Sequence, residues 1–171
     1  MAARAPDGGP PTLRHPDETD HPAIAAVIDE WFGGRRVAHL AGRSWFRHAG
    51  STSWIALEPP GRPIGILLGY LSQDHPDEAV VQLVAVDPNR RRRGIGRQLV
   101  EAFVAGAGRR GARHAVALAW PGEPPAAAFF RAAGFSADDG PGSRNIHGAP
   151  AFKDHEAPGD DRIVFRRPIG G

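Results

Sequence analysis

The stretch VDPNRRRRGIGRQLV, Val86 to Val100, sets four consecutive arginines, Arg90 to Arg93, beside two glycines one residue apart, Gly94 and Gly96. Residues of those types at that spacing suit one chemistry, the holding of a polyanion. Glycine has no Cβ, so a ligand can approach the backbone closely. Where such a turn opens a helix, the first N–H groups lack intrahelical partners and the helix dipole adds partial positive charge. N–H groups that point into one concavity bind phosphate oxygens, and arginines at the rim add charge-assisted bonds. The candidate phosphate-holding residues are therefore Arg91, Arg92, Arg93, Gly94, Ile95, Gly96 and Arg97. The competing reading is a solvated charge run followed by a tight turn. The run is not a Walker loop, because no GxxxxGK[ST] occurs, nor a dinucleotide fingerprint, because Leu99 stands where the third glycine belongs.

The flanking elements must place that turn. AVVQLVAVD (79–87) reads as a strand apolar enough to be central, and IGRQLVEAFVAGAGRRG (95–111) as a helix with Leu99, Val100, Phe103, Val104 and Ala107 on one face. Upstream, TLRHP (12–16) reads as a strand and DHPAIAAVIDEWF (20–32) as a helix that Asp20 caps and Gly33 and Gly34 stop. Residues 37–50 form a weaker helical stretch with Trp45 and Phe46. Strands at 51–58 and 63–72 flank the turn signal PPGR. Downstream come a strand at 114–120, a helix at 124–135 closed by Gly134, and a last strand at 162–167. Residues 1–11 read as a flexible N-terminal segment and 136–161 as a long irregular segment before the last strand; the span 12–168 reads as one domain. The order β-α-α-β-β-β-α-β-α-β predicts an α/β fold with a mixed sheet and helices on its faces.

Composition narrows the class. The 171 residues suit one domain, and a hydrophobic content of 41% with 23% charged residues suits a packed core. With no cysteine there is no disulfide framework and no thiolate chemistry. No apolar run reaches the length of a membrane span, and the N-terminus lacks the apolar core of a signal peptide, so a cytoplasmic protein without a membrane partner is expected. Lys153 is the only lysine; the arginine, alanine, glycine and proline usage suggests a GC-rich bacterial genome. The formal charge of +2 gives no broad basic face, so nucleic acid is not expected as a partner, although a module binding it through Arg90–Arg93 remains an alternative. His147 and His155 are not spaced as a metal pair with any nearby ligand set, so no metal is expected.

RRRGIG, Arg91 to Gly96, resembles the Arg/Gln-x-x-Gly-x-Gly/Ala signature of the GNAT (Gcn5-related) N-acetyltransferases. QLVAVDP before it is similar to the strand that enters the loop in that family, and AAAFFRAAGF to the family's second conserved helix. The resemblance runs from Thr12 to Phe135 with a final strand near the C-terminus. It implies a mostly antiparallel GNAT sheet with a splayed central parallel strand pair. It implies acetyl-CoA as acetyl-donor cosubstrate, its pyrophosphate on the Arg91–Arg97 turn and its pantetheine arm along the backbone at Val84 and Val86. The reaction it implies is direct attack by a primary amine of a small molecule or peptide. Relatives often dimerise, so a homodimer is a further implication.

Three departures from the resemblance follow. The tyrosine that often protonates the leaving thiolate is Phe130 here, expected to line the thiol end of the channel; the asparagine that often stands seven residues before it is Glu123; and the position of a frequent glutamate base is near Gln82, which cannot serve as a base. An alkyl thiol of pKa about 8.5 can leave without full protonation, but an ammonium of pKa about 10.4 must lose its proton. Glu78 is the candidate base, with Asp77 and His75 beside it, and Tyr70, the single tyrosine, a candidate hydroxyl. In this fold the acceptor sits near the first two helices, which makes Glu30, Trp31 and Phe32 candidate substrate-binding residues; helix packing is the competing reading. The acidic segment 137–161 is a candidate cover over that site. A catalytically degenerate acyl-CoA-binding protein of the same fold is the alternative function.

Overall fold

The computed structural model describes residues 9–170. Of the expected flexible segment 1–11, residues 1–8 lie outside the described residues. The described residues form two compact units, one of those up to Leu68 with Leu83–Phe103, the other of Gly69–Gln82 with those from Val104 onward.

The first unit begins with strand β1 (Thr12–Arg14), followed by helices α1 (His21–Ala25), α2 (Ile28–Trp31) and α3 (Arg43–His48), and strand β2 (Trp54–Glu58). It also holds most of β3 (Arg62–Leu71), the end of β4 (Glu78–Val86) and the first turns of α4 (Ile95–Arg109). β2 pairs antiparallel with β1, Ala56 opposite Leu13, and with β3, Ile55 opposite Ile66. Ile24, Ile28, Trp31, Phe46, Ile55, Ile66, Leu99 and Val100 fill the core.

The single helix expected over 20–32 is two short ones, broken where Val27 leaves helical geometry at φ −121°. Asp20 stands at the first helix's N-terminus without capping it. Its carboxylate instead accepts both Arg14 nitrogens, at 2.7 and 2.8 Å, and the Asp17 N–H at 2.9 Å. A bidentate guanidinium outcompetes the helix's own N–H for the same oxygens. The strand expected from residue 51 starts at Trp54, because Ser53 donates its N–H and hydroxyl to the Ala49 carbonyl and prolongs a helical turn.

The second unit holds the end of β3, the start of β4, the rest of α4, strand β5 (His114–Ala119) and helix α5 (Pro124–Ala132). Strands β6 (Ser136–Ala137), β7 (Arg144–Ile146), β8 (Ala149–Ala157) and β9 (Asp160–Pro168) complete it. The segment 136–161 is thus not irregular. Its core is a β7–β8 hairpin, Ile146 opposite Ala149, turned by His147 and Gly148 at φ 50° and 82°, the signature of a tight hairpin turn. β8 continues antiparallel along β9 with a bulge between Phe152 and Ala157.

The strand order is β1-β2-β3-β4-β5-β9-β8-β7, with β6 against β9. The sheet is mixed and mostly antiparallel, with β4 and β5 parallel. Their ladder runs from Glu78 opposite His114 to Val81 opposite Ala117, while β5 stays paired with β9 as far as Ala119 opposite Ile163. The β4–β5 ladder therefore ends before either strand does.

Candidate functional site

The turn after β4 is built from the strand outward. Asp87 is buried; its N–H donates to the Ile64 carbonyl at 3.0 Å, and its carboxylate accepts the Asn89 N–H at 2.9 Å. This closes a 3-10 turn over Pro88–Arg90 and pins it to β3. Arg90 grips Glu58 with two bonds, Nε to Oε1 at 2.8 Å and Nη2 to Oε2 at 3.0 Å, and Arg62 reaches the same carboxylate at 2.9 Å. Hydrogen bonds from Arg90 and then Arg62 hold the Glu58 carboxyl down to about 2. Arg90 therefore anchors the turn to β2, and the arginine run is not one uniform basic face. Arg91 also turns inward: its Nη2 donates to the Trp31 carbonyl and its Nε to the Val86 carbonyl at 3.4 Å.

Beyond Arg91 the backbone changes hand. Arg92 and Gly94 have φ of 61° and 76°. For arginine that conformation costs roughly 1–2 kcal/mol. At Gly94 an added Cβ would meet nothing nearer than Gln98 Nε2 at 3.9 Å, so glycine is there for its conformation and not for room. Helix α4 then opens at Ile95. Its first bond runs from the Gln98 N–H to the Gly94 carbonyl at 2.9 Å. Among the described residues no acceptor meets the N–H groups of Ile95, Gly96 and Arg97. No acidic residue occupies the first turn of α4. Arg92, Arg93 and Arg97 are exposed around these amides. A strained turn, three bare N–H groups and an uncompensated helix N-terminus make up a cradle of the kind that can accept an anion.

The other residues singled out in the sequence fall in separate places. On β4, Val84 and Val86 lie past the last pair with β5 and are half-buried, alternating with the buried Leu83 and Ala85. Glu78, at the start of β4, accepts Arg166 Nη1 at 2.7 Å, and Arg166 Nε reaches Asp138 at 3.4 Å. The Arg166 guanidinium is raised, chiefly by its bond to Glu78. Glu78 thus has a structural partner in β9, which occupies the carboxylate with a permanent cation. Tyr70 is exposed on β3. Phe130 is buried, its ring centroid 5.3–5.4 Å from those of Phe129, Phe135 and Phe165, so it belongs to an aromatic cluster of the second unit. Glu30, Trp31 and Phe32 do not share a face: Trp31 is in the core, Glu30 exposed and Phe32 half-buried. Successive helical residues point about 100° apart, and the Trp31 backbone, not its ring, takes part in the turn through Arg91. The described residues contain no group of three His, Asp or Glu side chains that could hold a metal. No described helix is long and apolar enough to cross a membrane.

A mixed sheet whose β4 feeds this cradle and helix defines an acyltransferase fold class. Residues 16–135 match the model of the Acetyltransferase (GNAT) family, and the chain belongs to that family. It is 30% identical over 116 residues to the L-2,4-diaminobutyric acid acetyltransferase of Nocardia farcinica, covering 68% of this chain and 60% of that protein. It is 39% identical to the enzyme of the same name from Streptomyces coelicolor over 57 residues, 33% of this chain and 34% of that one. The matched regions therefore span under two thirds of the length of these relatives. Among solved structures, the diaminobutyrate acetyltransferase EctA from Paenibacillus lautus, in complex with L-2,4-diaminobutyric acid and coenzyme A, superposes with a TM-score of 0.70 at 18% identity, covering 94% of this chain and 96% of that one. The ribosomal-protein-S18-alanine N-acetyltransferase from Escherichia coli superposes with a TM-score of 0.63 at 20% identity, covering 94% and 95%. At these identities the structures share the fold.

Proposed function

We propose that the protein transfers an acetyl group from acetyl-CoA to a primary amine of a small molecule or peptide, and that the cradle at Arg92–Arg97 holds the CoA pyrophosphate. The observation that carries this reading is the trio of N–H groups at Ile95, Gly96 and Arg97 without acceptors, inside the stretch that matches the acetyltransferase family. A pyrophosphate supplies the oxygens these donors lack, and the exposed Arg92, Arg93 and Arg97 neutralise its charge. Arg91 acts through the turn, not on the ligand, since its guanidinium is bonded to two backbone carbonyls. The backbone of β4 at Val84 and Val86 is the proposed seat of the pantetheine arm.

In the reaction the amine nitrogen forms a bond to the thioester carbon, the carbon–sulfur bond breaks, and the ammonium proton passes to solvent or a base. Phe130 has no proton to give, so the thiol leaves as the thiolate, tolerable for a group of pKa about 8.5. The relatives' names support a diamino acid as acceptor. The experiment is an amine panel, with L-2,4-diaminobutyrate and N-terminal peptides in it, read by release of free CoA; release with at least one amine supports transfer.

A second reading has its own observation. Phe130 is locked in an aromatic cluster and Glu78 is locked to Arg166, which suits a protein that binds acyl-CoA without turnover. CoA binding by calorimetry with no release across the panel favours it. Absence of CoA binding defeats both readings.

A further inference from the structure

We infer that Gly65, in the middle of β3, is a positioning residue that sets the spacing of the anion cradle; the inference rests on the function proposed above. Gly65 is buried, and its φ is not left-handed, so the backbone there does not require glycine. What requires it is room. A Cβ at this position would lie 3.0 Å from Ile95 Cγ2 and 3.1 Å from Leu99 Cδ1, with the Ala85 carbonyl oxygen at 3.5 Å. Helix α4 therefore rests its first turn directly on a bare Cα.

The two facing side chains cannot readily give way. Ile95 is β-branched at a helix start, so Cγ2 is stiff. Leu99 is fully buried in a close-packed core. A methyl group at Gly65 is accommodated by lifting the start of α4 by a few tenths of an ångström. Ile95 is also the first of the three bare amides, so the lift displaces the donors themselves. The other half of the cradle does not follow. The turn before it is pinned by the Asp87 N–H on the Ile64 carbonyl and by Arg90 on Glu58. Adjacent residues of β3 thus hold the two halves, Ile64 the turn and Gly65 the helix. Hydrogen bonds to one anion weaken steeply when distances and angles fall out of range together.

The test is made on the full chain, with CoA calorimetry and steady-state kinetics in acetyl-CoA for wild type, Gly65→Ala, Ile95→Ala and the double variant. Gly65→Ala is expected to raise both the Kd for CoA and the KM for acetyl-CoA about tenfold, with kcat within about twofold. A general loss of packing would lower the folded fraction and kcat without moving KM. Ile95→Ala removes the nearer of the two obstructing groups while Leu99 Cδ1 at 3.1 Å remains, so the double variant should lose clearly less CoA affinity relative to Ile95→Ala alone than the tenfold that Gly65→Ala loses relative to wild type. Should Gly65→Ala fail to fold, that second comparison decides. Wild-type affinity in folded Gly65→Ala, or the same tenfold loss with Ile95 truncated, overturns the inference. If wild type itself does not bind CoA, the proposed function falls and the inference with it; if wild type binds and Gly65→Ala binds equally, only the inference falls.

Discussion

Beyond its opening Asp87, the turn at 88–97 and the hairpin segment at 138–161 are both charged and glycine-containing, yet they use charge in opposite ways. In the hairpin segment three acids accept backbone N–H groups of the segment itself. Asp138 accepts the Gly140 N–H at 2.9 Å, Asp154 accepts the Gly159 N–H, and Asp161 accepts the Asp154 N–H at 2.8 Å. In the turn the long side chains of Arg90 and Arg91 reach away to Glu58, Trp31 and Val86, and the nearby amides stay bare. A short carboxylate satisfies local N–H groups and is consumed in shaping the turn. A guanidinium has only donors, so it leaves the backbone donors beside it to a ligand. Asp138, Asp154 and Asp161 thus each shape a local turn or strand contact.

The comparison breaks most visibly at Gly94. Valine there is disfavoured at φ 76° and moves the amides, so Gly94→Val should weaken CoA binding at least about tenfold, roughly 1.4 kcal/mol. Unchanged affinity by calorimetry would remove the contrast. Next in size, Asp154→Ala strips the acceptor of the Gly159 N–H and should cost about 1 kcal/mol in urea unfolding. The acetyl-CoA KM should not change; a raised KM would mean that the hairpin acids do more than shape turns. A smaller effect separates backbone from side chain in the cradle. Arg92→Gly keeps the left-handed turn and removes one exposed charge, so CoA affinity should stay within about threefold, a surface ion pair contributing at most about 1 kcal/mol.

The smallest effect is the pH dependence of the anchor. The Glu58 carboxyl is held at about 2 against an ordinary 4.5, chiefly by Arg90. A depressed carboxylate contributes stability that is fully present above about 4.5 and is lost as pH falls from there toward about 2. Arg90→Gln should lower Tm above pH 5 by the small amount this pair contributes and flatten the stretch below about 4.5, so that the variant and wild-type curves converge toward pH 2. The pair is partly exposed, so the change is modest. An acid limb as steep as wild type would show that Arg90 does not hold Glu58 in solution.

The elements that were legible in sequence are those with strong periods. The strand at 79–87, the helix from Ile95 and the helix ending at Gly134 stand where hydrophobic spacing and glycine stops put them. The first helix broke at Ala26–Val27, where the apolar spacing reads on unbroken and only tertiary packing dictates the kink. Strands β7 and β8 were missed because β7 is three residues long and the outer half of β8 is exposed, with no alternation to read. Within the candidate site, the glycines at 94 and 96 marked the strand-to-helix turn where the left-handed backbone and bare amides stand. Nothing marked Trp31 as core instead of pocket wall, since an aromatic at helical spacing reads either way. Nor could a lone glycine in the strand RPIGILLGYL reveal that a helix rests on it, because that contact joins residues thirty positions apart.

The sheet's terminal strands, β1 and β7, are three residues long each. A sheet edge is a template on which another chain can add strand upon strand, and its hazard grows with the length of unpaired backbone it displays. Three residues display very little, and on β7 two of them are Arg144 and Asn145, both exposed. At high concentration or near the unfolding temperature, these two terminal strands should therefore contribute little to the nucleation of fibrillar aggregates.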